Sequence, residues 1–125
     1  MTDATGDIED LVHQRIRLGI LTIALEVSSV QFGYLQRVMD LTPGNLGRHL
    51  VVLEEAKLIK VAKTFEGRRP STSISITAAG RKALRAEVAA LKSIVDRVER
   101  AESERTSLLE AARVPAQQRK RLNLT

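Results

Sequence analysis

The chain has no cysteine, no tryptophan and only three aromatic side chains among 125 residues: Phe32, Tyr34 and Phe65. Without thiols there is no disulfide scaffold, zinc-thiolate site, iron–sulfur ligation or thiol redox chemistry, and a reducing compartment fits. With so few rings, the core must be aliphatic. No apolar run approaches the roughly 18 residues of a spanning helix. The acidic, polar start from Met1 to Asp7 is unlike a secretory signal, so a cytoplasmic protein with no membrane contact is expected. Also missing are a Ser/His/Asp or Cys/His constellation and a phosphate-cradling glycine loop with lysine, so neither an enzyme nor a cofactor is expected. The length suits one domain, and a chain of this size buries roughly two thirds of the surface its unfolded form exposes.

Positive charge is abundant and unevenly placed. The formal net charge is +5 and the pI about 10.1. Residues 1–42 carry three Arg against six Asp or Glu. Residues 43–82 carry eight Lys or Arg against three Glu, and residues 83–125 nine against six. A basic middle behind an acidic start fits a polyanion-binding face, with a merely solvated basic surface as the alternative.

Residues 1–7 read as disordered. From Ile8 to Val27, Leu11, Ile16, Ile20, Ile23 and Val27 recur at helical steps, widened by Val12, Leu21, Ala24 and Leu25, giving a mostly buried helix or helix pair. Ser28-Ser29 breaks it, and Val30–Phe32 suits a small edge strand. Phe32, Leu35, Val38 and Met39 form a short helix ending near Asp40. Thr42 then serves as N-cap and Pro43 as first residue of another helix, lined by Leu46, Leu50 and Leu53 and ending near Ala56. Alternation from Ile59 to Phe65, a turn over Glu66–Pro70 and a second run from Ser71 to Thr77 make a hairpin. Thr77 caps a last helix that ends at Pro115.

Helix, short strand, helix, tight turn, helix, hairpin and long helix is the layout of a winged helix-turn-helix: mainly α with a small β-hairpin, or α+β. The segments Leu41–Leu50, Leu53–Ile59, Phe65–Pro70 and Ile76–Arg81 resemble winged-helix transcriptional regulators of bacteria and archaea related to the ArsR and MarR types. Val12–Leu21 is similar to their first-helix pattern. The resemblance covers about residues 11–92 and departs at Lys57, where Gly is expected. It implies double-stranded DNA as partner and a homodimer. The expected organisation is a disordered start at 1–7, a DNA-binding domain at 8–82, a C-terminal dimerisation helix at 83–114 and a basic tail at 115–125.

Small or polar residues at an exposed helix start let a helix enter a major groove. The expected DNA-contacting residues are Thr42, Pro43, Gly44, Asn45, Arg48 and His49 on that helix, with Lys63, Arg68, Arg69 and Ser71 on the hairpin. His49 is read as exposed, and as a polar contact rather than a metal ligand, since its nearest sequence partner is His13 and no Cys/His cluster exists. Gly44-Asn45-Leu46-Gly47 has the spacing of an RNA-clamping loop but lacks its flanking strands. Leu84, Val88, Leu91, Val95 and Val98 form an a/d seam, interrupted at Glu102 and Arg105 and resumed at Leu109 and Ala112. A second copy is its expected target. The resulting expectation is a sequence-specific regulator, a repressor on a pseudo-palindromic operator, with any effector ligand unidentified. The alternative is a winged helix that binds a protein, for which Val51 and Val52 are the hint.

Overall fold

Apolar residues three and four apart along the first third of the chain produce one helix, α1, Ala4–Val27. The computed structural model describes residues 4–113, with side chains from Asp10 onward. Residues 4–7, expected to be disordered, form the first turn of α1. The backbone of Asp7, Glu9 and Asp10 lies in its first two turns. The basic tail expected from Pro115 lies outside the described residues.

After α1 come β1 (Val30–Gln31), α2 (Phe32–Met39), α3 (Pro43–Glu55), β2 (Ile59–Glu66), β3 (Arg69–Ile76) and α4 (Ala78–Arg113). The sheet order is β1-β3-β2, all antiparallel, with Val30 opposite Ile74 and Ile59 opposite Ile76. The fold is therefore a winged helix whose hairpin carries β1 as a third strand.

Each of the first three helices ends on a non-glycine residue in the left-handed region: Ser28 (φ 62°), Asp40 (φ 53°) and Lys57 (φ 64°). At Asp40, its N–H donates to the Arg37 carbonyl and that of Leu41 to the Gln36 carbonyl. Lys57 and Leu58 repeat the pattern onto Glu54 and Leu53. Both are Schellman motifs, which return orphan helix carbonyls to hydrogen bonds. The glycine expected by resemblance at 57 is thus replaced by a lysine that adopts the same backbone.

The turn between β2 and β3 is shorter than the sequence suggests. Gly67 (φ +66°) and Arg68 alone form the loop, while Arg69 and Pro70 already pair with Glu66 and Phe65. Glycine at the first loop position is the choice of a tight hairpin whose twist matches its strands.

Thr77 joins α4 to the end of α3. Its N–H donates to the Leu58 carbonyl (3.0 Å), its hydroxyl donates to the Lys57 carbonyl (2.8 Å), and the same oxygen accepts from Gly80 N–H (2.9 Å). Gly80 is buried here, and a Cβ on it would collide with the Leu58 carbonyl oxygen.

The core is aliphatic: Ile20, Leu21 and Ala24 of α1, Val30, Leu35, the Leu46, Leu50 and Leu53 stripe of α3, Ile59, Ile74 and Leu84. Leu84, expected in a seam between copies, is a member of this core instead. It lies two turns beyond Thr77, in the part of α4 fixed by Gly80 against Leu58. The chain divides into two compact units, residues 1–87 and 88–125. The described part of the second unit is the helix from Val88 to Arg113.

Candidate nucleic-acid interface

α3 begins where Thr42, in extended conformation (φ −70°, ψ 154°), accepts the Asn45 N–H on its side-chain oxygen at 3.2 Å. Pro43 occupies the first turn, where its missing N–H leaves nothing unsatisfied. Four core-facing residues, Leu46, His49, Leu50 and Leu53, are spaced i, i+3, i+4, i+7 and fix which side is outward. Pro43, Gly44, Asn45, Arg48, Val51 and Val52 are exposed on the rest of the helix.

His49 is therefore not on the outward edge. It is 5% exposed, its Nδ1 accepts from Arg17 Nε at 3.4 Å, and its ring meets His13 edge-on at 5.3 Å between centroids. Burial, with help from the Arg17 guanidinium and then His13, holds the imidazole below its ordinary pKa. The sequence carried this signal: position 49 completes the apolar stripe three residues after Leu46. Its partner Arg17, 32 residues away, leaves no mark in the local pattern.

On the hairpin, Lys63, Arg68 and Arg69 are exposed. Ser71 is half-buried, and its hydroxyl donates to Gln31 Oε1 at 2.7 Å, joining β3 to β1. That hydroxyl is thus engaged within the sheet. Glu54 of α3 accepts the Val61 N–H on Oε2 at 3.0 Å, which occupies an outward donor of edge strand β2 and fastens hairpin to helix.

Of the residues expected to contact DNA, Lys63 lines one groove and Arg69 and Ser71 line another. Gly47, Leu50 and Val51 of α3, with Lys63 and Thr72 of the hairpin, share a groove of about 380 Å³ whose floor includes Phe32 and Val61. A second hollow of about 620 Å³ joins Arg69 and Ser71 to Gln31, Tyr34 and Arg37. Arg37 adds a cation that the sequence reading did not include. The same unit thus carries a capped helix start with exposed polar residues and a basic hairpin that is fastened to α3 at Glu54.

The family model described as a winged helix DNA-binding domain matches residues 16–95. The chain belongs to that family. An uncharacterized protein of Methanocaldococcus jannaschii is 36% identical over 70 residues, 56% of this chain and 76% of that one. The structure of a transcriptional regulator homologue from Pyrococcus horikoshii is 33% identical and superposes with a TM-score of 0.62, covering 74% of this chain and 97% of that one. A zinc-responsive MarR family member from Lactococcus lactis shares the fold at 14% identity and a TM-score of 0.54, over 87% of this chain and 68% of that one. The family and these folds are those of transcriptional regulators, and DNA binding is what they imply. No helix among the described residues is long and apolar enough to cross a membrane.

Proposed function

We propose that the protein is a cytoplasmic, sequence-specific DNA-binding regulator that acts as a homodimer on a pseudo-palindromic operator. One observation carries the reading: the Thr42-capped start of α3 exposes Gly44, Asn45 and Arg48 in the same unit as a hairpin bearing Lys63, Arg68 and Arg69. The helix supplies base-edge contacts and the hairpin phosphate or minor-groove contacts. Repression is the favoured mode, since occlusion of a promoter requires binding alone.

The dimer rests on α4. Val88, Leu91, Val95 and Val98 repeat at heptad spacing and are 40–55% exposed, with Ile94, one position from the seam, widening the stripe. An apolar stripe of this kind is a surface for a second helix, and a second copy of α4 offers the same stripe. A two-fold dimer presents two copies of α3 to successive turns of one groove, about 34 Å apart.

Sedimentation and selection of bound fragments from sheared genomic DNA test both halves of this proposal. Wild type should sediment as a dimer at micromolar concentration and enrich an inverted repeat. Leu91→Glu with Val95→Glu should give monomers with much weaker binding. A monomeric wild type removes the dimer, and no enrichment removes sequence-specific recognition.

Exposed Val51 and Val52 on the outer side of α3 favour a second reading, a winged helix docked on an acidic protein. Selective recovery of duplex DNA over acidic protein ligands separates the two.

A further inference from the structure

The β2–β3 hairpin outruns the core that it helps to build. Alternate residues of β2 share one face, so Ile59, Val61, Lys63 and Phe65 form one row. The register adds Ile76, Ile74, Thr72 and Pro70 beside them. Along this row Ile59 is buried, Val61 half-buried and Lys63 exposed, and Phe65 at its end is 73% exposed. Among the described residues no other large apolar side chain is more exposed. Of the three aromatic rings Phe65 is thus the most exposed, on the very face that buries apolar side chains nearer the helices.

The surroundings of the ring indicate what covers it. Lys63 lies two residues before it on the same face, Arg68 lies in the loop, and Arg69 begins the returning strand, against two carboxylates, Glu66 next to the ring and Glu54, which shares a groove with Lys63. An apolar protein groove would have to desolvate three cations, which is unfavourable without paired anions. A nucleic-acid duplex meets both demands, because its phosphates neutralise the cations while its sugar walls and base faces receive the ring. Arginine or lysine beside an inserted Phe or Pro is how minor-groove proteins unstack a base step, bending the duplex by roughly 20–90°.

We propose that Phe65, backed by Pro70 directly across the hairpin, is an apolar wedge that enters the minor groove and opens a base step, so that binding bends the DNA. The proposal rests on the DNA-binding reading above and adds an activity to it, deformation of the target.

The chain has no tryptophan, so Phe65→Trp places a single reporter at the wedge. Binding to sheared genomic duplex DNA is followed by anisotropy of the labelled duplex and, in parallel, by tryptophan emission, with heparin as a polyanion that has no bases. Emission should be quenched by DNA and unchanged by heparin. Wild type should shorten the end-to-end distance of a short, doubly end-labelled duplex. Phe65→Ala should leave that distance unchanged and lose about tenfold in affinity, in keeping with the loss of one ring–base stack, with Tm unchanged because the residue is exposed. Duplex binding with emission no different from that in heparin, or a Phe65→Ala protein that bends DNA as wild type does, overturns the wedge and leaves the DNA-binding reading standing. No anisotropy change with any duplex overturns both.

Discussion

The guanidinium of Arg17 in α1 donates through Nε to Nδ1 of His49 on the inner side of α3, at 3.4 Å. The bond requires that nitrogen to be unprotonated, since a charged imidazole has only donors. Burial already disfavours the imidazolium, and Arg17 and His13 add repulsion. A neutral histidine therefore links the first helix to the helix that carries Asn45 and Arg48.

The sign of the pH dependence follows. The folded pKa of His49 lies below its ordinary 6.5, so the unfolded chain binds this proton more readily. Its contribution to stability is fully present above about pH 6.5 and is lost as pH falls through the lower folded value. Melting temperature should decline on acidification in that window, and His49→Leu, which keeps the side chain apolar on the core stripe, should flatten the decline. Parallel wild-type and His49→Leu curves would remove His49 from the acid response.

Gly80 is the most constrained position in the turn from hairpin to α4. A methyl group there meets the Leu58 carbonyl oxygen, which is held by the Thr77 N–H, and Ile76 Cγ1 at 2.7 Å. Neither neighbour is the free end of a flexible chain. Gly80→Ala should cost about 3 kcal/mol, the upper range for overpacking a core, as read from urea unfolding. Gly19 is the contrasting case. Its added Cβ meets Met39 Cε at 2.7 Å, the end of an adaptable side chain, so Gly19→Ala should cost less.

Lys57 should respond in the opposite direction. Its φ of 64° is unfavourable for a residue with a Cβ, and its backbone N–H already serves the α3 terminus. Lys57→Gly should stabilise the unit by about 1 kcal/mol, the left-handed penalty less the added freedom of glycine in the unfolded chain. A destabilised Lys57→Gly protein would mean that the lysine side chain contributes more than its backbone strain costs.

Much of this architecture was legible because it depends on local chemistry. The caps at Thr42 and Thr77 close onto N–H groups three residues on, and the period change at Ile59 marks β2. What depends on distant partners was harder to read. Leu84 fits a heptad as well as it fits a core, and the choice was made by Gly80 pressing α4 onto Leu58. His49 looks like a surface polar residue until Arg17, 32 positions earlier, supplies its donor. Ser71 looks free until Gln31, 40 positions earlier, accepts its proton. Phe65 continues an alternating strand correctly, yet where the core stops is a matter of helix placement that alternation does not encode.

Arg48 and the Arg68–Arg69 pair sit on different elements and should fail differently. Arg48 is exposed on α3, in the second turn after the Thr42 cap, where a guanidinium can fork onto a guanine edge for roughly 1–3 kcal/mol of discrimination. Arg68 and Arg69 are exposed on the hairpin tip, where phosphate contact brings affinity with little sequence information. If about six phosphates are neutralised in the complex, wild-type affinity should fall on the order of a thousandfold between roughly 50 and 200 mM salt. Arg48→Ala should then lower operator binding and flatten its preference over a scrambled duplex. Arg68→Ala with Arg69→Ala should weaken both duplexes by similar factors and reduce the salt slope by about one or two per subunit, on the order of one for each lost phosphate contact. Titrating the three proteins against operator and scrambled duplexes at two salt concentrations measures each of these effects. An Arg48→Ala protein that keeps the full specificity ratio would move base reading off this edge of α3, leaving Asn45, Val51 and Val52 as the exposed side chains three or four residues from it.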